Sequence, residues 1–160
     1  MKKLLTLLFV LCAMSAKAQV FLGGTGAIGY ERETFQLGLI PEIGYEFSEK
    51  WAAGTGLGFT LLANDGNSTV IGSVEPFVRY TVWQSDRLAF DVKGLADMEF
   101  NHGLCGADLG LRPSFRFFLN KNWDFNADFG LFGARYYGND WKPAFFVTGM
   151  SVKLGVAYKF

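Results

Sequence analysis

The chain has 160 residues with 15 basic and 15 acidic side chains, and half of its residues are hydrophobic, 17% aromatic and 19% charged. This length suits a single domain, and zero net charge without a basic cluster argues against a nucleic-acid-binding protein. Beyond the N-terminus, no segment has the roughly 18 consecutive apolar residues of a transmembrane helix. The apolar residues are abundant but interrupted, and together with 20 glycines they favour curved strands over helices.

The first predicted element is a secretory signal peptide. Two lysines follow the first residue, an almost entirely apolar stretch runs to Ala13, and a small-x-small cleavage motif ends at Ala18. The apolar stretch is too short to span a membrane stably. We therefore predict residues 1–18 as a cleaved signal peptide and residues 19–160 as the mature domain. Cleavage leaves an excess of three acidic residues and one cysteine, Cys105, so no intramolecular disulfide can form.

A glycine-rich segment follows the predicted cleavage site. Residues 24–29, Gly-Thr-Gly-Ala-Ile-Gly, match the G-x-G-x-x-G pattern of dinucleotide-binding sites. That pattern needs a preceding strand and a following helix, and the sequence around these glycines predicts neither. We therefore expect no cofactor, and we interpret the glycines as positions where neighbouring side chains crowd a barrel wall.

From this segment onward, apolar and polar residues alternate with a period of two, which predicts strands. The alternation gives eight strands, at about 20–30, 35–47, 51–62, 69–83, 88–101, 104–119, 123–137 and 144–160. Short polar connectors fall at 48–50, 84–87 and 120–122. They join the strands at one end of the predicted barrel, and turns join them at the other end. In the seventh strand the alternation places Phe129 and Leu131 on the apolar face.

An even number of strands with one apolar face, one polar face and aromatic residues at the ends is typical of transmembrane barrels. Lipid offers no hydrogen bonds, so such a sheet has to close. The sequence therefore predicts an all-β fold, an up-and-down, eight-stranded antiparallel transmembrane β-barrel. A soluble lipocalin-like lipid-binding barrel, with the apolar face inside, is the alternative. The many small residues on the polar face suit solvent poorly and favour the membrane barrel.

The charged residues of the polar faces are the candidate functional set. We expect these residues to face the barrel interior: Glu42, Glu46, Glu75, Arg79, Asp91, Lys93, Asp97, Glu99, Asp108, Arg112, Arg116, Asp124, Asp128, Lys153 and Lys159. An eight-stranded barrel is just wide enough for side chains to fill it, and buried charges need partners. A salt-bridged plug is therefore favoured over a narrow pore that opens when the pairs rearrange.

In these features the mature region resembles the small outer-membrane barrels of the OmpA and OmpX type, a porin-like group. Tyr158 and Phe160 are similar to the C-terminal aromatic signal that the barrel-assembly machinery reads in that family. The junction at residues 16–20 is similar to signal-peptide ends common in Bacteroidetes. The resemblance implies a monomer in the bacterial outer membrane, in contact with membrane lipid and lipopolysaccharide. It also implies that the N-terminus and the short connectors are periplasmic and that the other four loops are extracellular.

An enzymatic role rests on the only histidine, His102, which lies in a predicted turn near Asp97 and Glu99. Barrel enzymes that modify lipid A use a rim histidine with a serine and an acid, and Ser68 could lie at the same rim. A polar turn residue is the favoured interpretation, and no spacing of His, Cys and Asp suits a metal ion. We therefore expect a structural or porin-like envelope protein without catalysis, with a lipid-modifying barrel enzyme as the alternative.

Overall fold

The computed structural model describes residues 19–31, 33–64, 66–101, 104–137, 140–146 and 152–160. The predicted signal peptide and His102 lie outside the described residues. The described chain forms ten strand segments: β1 (Gln19–Glu31), β2 (Thr34–Glu46), β3 (Trp51–Asn64), β4 (Asn67–Gln84), β5 (Leu88–Phe100), β6 (Leu104–Phe118), β7 (Trp123–Phe129), β8 (Leu131–Tyr137), β9 (Asp140–Phe146) and β10 (Val152–Lys159). Within these residues there is no helix with the length and apolar character needed to cross a membrane.

The ten segments make one antiparallel barrel of eight strands. Strands β1 to β6 pair in chain order, and β10 returns to pair with β1, which closes the sheet. β7 and β8 together form the seventh strand, since both pair with β6. β9 and β10 form the eighth strand, because they pair with β8 and β7 respectively. The predicted eight-stranded, up-and-down antiparallel barrel is confirmed.

The seventh strand is interrupted at Gly130, whose φ of 66° lies in the left-handed region that favours glycine. The register of β6 against its partner slips by one residue across this point. An extra residue of this kind reverses the faces of the residues that follow it. Leu131 is only 4% exposed, so the prediction that it lies on the apolar outer face is wrong.

Burial in the barrel is inverted relative to a water-soluble protein. Glu75 and Asp128 are fully buried, whereas Leu57 is 61% exposed and Leu154 is 52% exposed on the outside. Soluble proteins almost never bury charges without partners, and they do not expose large continuous apolar surfaces. The barrel therefore has a polar lumen and an apolar outer wall.

Two aromatic rings fill the lumen where paired glycines leave room for them. The register aligns Phe21 with Gly44, Gly44 with Gly54, and Gly54 with Phe77 across four neighbouring strands. A β-carbon on Gly44 would overlap the ring of Phe21, and one on Gly54 would lie 2.7 Å from the ring of Phe77. The two rings lie 6.4 Å apart. This row of rings and glycines packs the lumen beside the charged residues.

Candidate functional site

The candidate site is the charged lumen together with the cavity at one of its ends. Each residue predicted to face the interior is buried or half-buried in the structure. We call the end of the barrel at which Gln19 meets Phe160 the terminal end. From that end inward, the lumen charges form a terminal cluster (Glu46, Arg79, Asp91, Arg116, Asp124 and Lys159), a central cluster (Glu42, Glu75, Lys93, Arg112, Asp128 and Lys153) and a distal cluster (Asp97, Glu99, Asp108 and Arg135).

The terminal cluster is organised around one carboxylate oxygen. Glu46 Oε1 accepts hydrogen bonds from the guanidinium of Arg79 and from Arg116 Nη1, the latter at 2.9 Å. Lys159 Nζ lies 3.0 Å from the same oxygen. Arg116 Nε also donates to Asp91 at 2.9 Å. The cluster therefore joins six strands through three cations and three carboxylates, a balance that buried charges require.

The central cluster is also balanced. Its nitrogen–oxygen distances are 3.1 Å for Lys93–Asp128, 3.3 Å for Lys93–Glu42, 2.9 Å for Arg112–Glu75 and 3.2 Å for Lys153–Glu75. Arg112 Nη1 donates to both carboxylate oxygens of Glu75 at 2.9 Å. Charge-assisted bonds of this kind are the stronger class of hydrogen bond. The two clusters together tie opposite walls of the barrel across the lumen.

The distal cluster differs because it has three carboxylates and one guanidinium. Arg135 donates to Asp108 from Nε at 2.6 Å and from Nη2 at 2.5 Å, and the Arg135 side chain is 44% exposed. Asp97 stands directly opposite Asp108 in the β5–β6 ladder. Arg135 was missed by the sequence prediction because it follows the bulge at Gly130. A change of alternation phase at that glycine is the signal that would have found it.

Between the terminal and central clusters the lumen is occluded. The free volume there is about 10 Å³, lined among others by Asp91, Lys93 and Arg116. A water molecule needs at least about 10–15 Å³ of this kind of space. Among the described residues, the paired side chains therefore fill most of the lumen at this level and leave space for about one water molecule.

Outside the terminal cluster the barrel opens into a cavity of about 1000 Å³, which we call the vestibule. Its floor includes Arg79, Arg116, Phe118 and Lys159, and its rim is formed by the three short connectors. The ring of Phe118 lies under two cations, since its centre is 5.2 Å from the Arg116 guanidinium and 5.4 Å from Lys159 Nζ. The vestibule is therefore a polar bowl with an ordered, cationic floor.

Aromatic residues gather on the outer wall at the terminal end. The ring of Trp51 lies 4.7 Å from that of Tyr80, and the ring of Tyr158 lies 5.0 Å from those of both Trp123 and Phe160. Phe160 N donates to the carbonyl of Val20 at 3.1 Å. The two predicted assembly-signal residues thus lie in this aromatic group. Among the described residues no cluster of His, Cys, Asp and Glu could hold a metal ion.

Comparison with known proteins gives a likeness of fold. No protein-family model matches the chain, and no curated protein matches it. Among solved structures, the chain is similar to one described as "De novo design of transmembrane beta-barrels", with a TM-score of 0.52 and 14% sequence identity. The match covers 89% of this chain and 95% of that chain. The chain therefore has the fold of a small eight-stranded barrel similar to transmembrane β-barrels.

Proposed function

We propose that the chain is a small, monomeric integral protein of the bacterial outer membrane, with a structural role in the envelope and no catalytic activity. The observation that supports this most directly is the inverted burial. Asp91 and Asp124 are 1% and 2% exposed in the lumen, while Ile43 and Leu57 are 52% and 61% exposed on the wall. Lipid solvates such a wall, whereas water does not.

The same observation counts against a lipocalin-like carrier. In that kind of barrel the apolar face points inward to a ligand and the outer face is polar. Here the largest fully buried side chains include Glu75, Asp91, Asp124 and Asp128. Those carboxylates occupy the space that an apolar ligand would need, so the lumen is unsuited to a lipid.

Location in the outer membrane is supported by the sequence and by the terminal end of the wall. The predicted signal peptide would export the chain, and strands rather than helices supply its apolar surface. Trp and Tyr residues concentrate at membrane–water interfaces, which suits the aromatic group around Trp51, Trp123 and Tyr158. We infer that Tyr158 and Phe160 are read by the barrel-assembly machinery, as in OmpA- and OmpX-type barrels, and that lipid and lipopolysaccharide surround the wall.

A plugged lumen is favoured over a pore because the terminal and central clusters are paired and the space between them is about 10 Å³. A porin-like activity is the second candidate, because the vestibule already brings about 1000 Å³ of open space to the terminal cluster. Conduction would require the pairs around Glu46 and Lys93 to separate. Continuous water channels are found in barrels of about 16 or more strands, which favours the plug.

The test begins with expression of the full chain in a bacterium with an outer membrane, followed by fractionation. We expect the protein in the outer-membrane fraction, with faster gel migration before boiling than after it. Recovery in the soluble fraction without a heat-dependent shift would rule out the membrane barrel. In planar bilayers we expect no stepwise conductance, and reproducible steps would replace the plug with the pore.

The lipid-modifying alternative is tested separately with His102→Ala. We expect the lipid A profile of cells that express the variant to equal that of cells that express the original chain. Ser68→Ala is the matched variant, because Ser68 is the serine that could act with this histidine. A lipid A change that depends on both residues would overturn the non-catalytic assignment.

A further inference from the structure

The vestibule has an excess of positive charge that the proposed structural role does not require. Its lining includes the cations Lys50, Arg79, Arg87, Arg116, Lys121 and Lys159. The acids that line it are Glu46, Glu49 and Asp86. The lining therefore contains twice as many cations as carboxylates, whereas the terminal and central clusters each contain equal numbers.

Two of the three carboxylates that balance the floor cations lie on the inner side of the floor. Asp91 pairs with Arg116, and Asp124 lies 3.3 Å from Lys159. Both carboxylates line the small void beneath the floor and neither lines the vestibule. Of the carboxylates of the terminal cluster only Glu46 lines the vestibule, so the floor presents three cations and one carboxylate to an ion that enters from the terminal end.

The rim cations are held on ordered connectors, one on each. Lys50 O accepts from Thr81 N at 2.8 Å, and Arg87 O accepts from Phe118 N at 3.0 Å, so both connectors are tied to the neighbouring strand. The third connector is closed by Asn120, whose Oδ1 accepts from Trp123 N at 2.9 Å. Lys121 lies on this connector. Three separated cations thus surround the mouth of the bowl.

We propose that the vestibule binds a soluble oligoanion that carries two or more phosphate-type groups. Recessed surfaces with an excess of one sign of charge concentrate the field and attract ions of the opposite sign. Guanidinium groups match the geometry of phosphate oxygens. Cations on three connectors and on the floor suit several anionic groups better than one. The volume of about 1000 Å³ leaves room for such a ligand.

Phosphate groups could also come from the headgroups of the surrounding lipid. The position of the cations favours a soluble source, because they line the mouth of the lumen, whereas lipid contacts the outer wall. Oligoanion binding goes beyond the proposed structural role. It can be measured on the detergent-solubilised barrel whether or not the protein has that role.

The test is calorimetric titration of the folded full-length barrel with inorganic tripolyphosphate at low ionic strength. We expect saturable binding that weakens with added salt. Lys121→Gln should weaken the affinity for tripolyphosphate about fivefold, which corresponds to the loss of one charge pair at about 4 Å in water. Combining Lys50→Gln, Arg87→Gln and Lys121→Gln should abolish measurable binding.

Lys142→Gln is the matched control, because Lys142 is an exposed lysine on β9 and does not line the vestibule. It should leave the affinity within twofold. Heat-dependent gel migration verifies that each variant is folded. Equal affinities for Lys121→Gln and Lys142→Gln would overturn the proposal. A different result would favour the lipid as the source of the phosphate groups. In that case the purified original barrel retains phosphatidylglycerol, the triple variant loses it, and neither protein binds tripolyphosphate.

Discussion

The lumen and the outer wall are built from the same strands but are stabilised by different partners. On β2, Glu42 is 8% exposed and lies 3.3 Å from Lys93, whereas the next residue, Ile43, is 52% exposed. Lumen charges depend on specific partners at fixed positions, since an unpaired buried charge is costly. Wall residues depend only on the apolar character of their surroundings. A substitution should therefore be judged by the face on which it falls.

The largest effect is expected where a lumen charge with several partners is removed. Arg116→Met leaves Asp91 without its 2.9 Å partner and removes one of the three cations around Glu46. Breaking a buried pair in this way typically costs about 3–5 kcal/mol. We expect a loss of that size in the free energy of unfolding, measured by denaturant titration in lipid vesicles.

Arg135→Met provides the control for this lumen prediction. Arg135 also pairs with a carboxylate, Asp108, but its side chain is 44% exposed at the distal end. Solvent screens such a pair, so its removal should cost at most about 1 kcal/mol. Equal losses for the two variants would show that the lumen charges are not stabilised by burial and pairing.

The next effect tests the wall. Leu57 lies near the middle of β3 and is 61% exposed. In a membrane, Leu57→Arg should lower the unfolding free energy by about 2–4 kcal/mol, because a charge at the bilayer midplane has lost its water. Val20→Arg, at the start of β1, should cost about 0–1 kcal/mol because it lies near the interface. A wall that faces water would give no difference between these two positions.

The period-two pattern was enough to predict most of the fold. Seven of the eight strands lie within two residues of their predicted limits, because residues that face inward and residues that face outward along these strands differ sharply in polarity. Pattern alone failed at Gly130, where a local bulge reverses the faces and brings Leu131 inward. A bulge depends on the pairing of neighbouring strands, which alternation along one strand does not report.

The sequence predicted which residues belong to the candidate site, but not which of them contact one another. Alternation identified residues such as Glu46, Arg79 and Lys159 as a set, since each lies on the polar face of its strand. It did not predict that one oxygen of Glu46 would meet three cations. That contact depends on the stagger of β2 against strands distant in sequence. The vestibule was not predicted either, because its shape arises only when the sheet closes.

The smallest of the three effects compares a glycine of the lumen with one of the wall. In Gly44→Ala the new methyl group would overlap the ring of Phe21, whereas in Gly94→Ala the nearest atom, on Leu111, is an ordinary 3.7 Å away. Overpacking of the first kind costs about 1–3 kcal/mol, while the second change should stay within about 0.5 kcal/mol. The change in the free energy of unfolding of each variant is measured by denaturant titration in lipid vesicles.

A second substitution separates crowding from the loss of glycine flexibility. If the ring of Phe21 causes the effect of Gly44→Ala, then combining it with Phe21→Leu should cost less than the sum of the two single changes. The coupling should be at least about 0.5 kcal/mol, as for residues in direct contact. Strict additivity would place the cost in the backbone of β2 instead. The lumen would then tolerate larger side chains at this level than the paired glycines indicate.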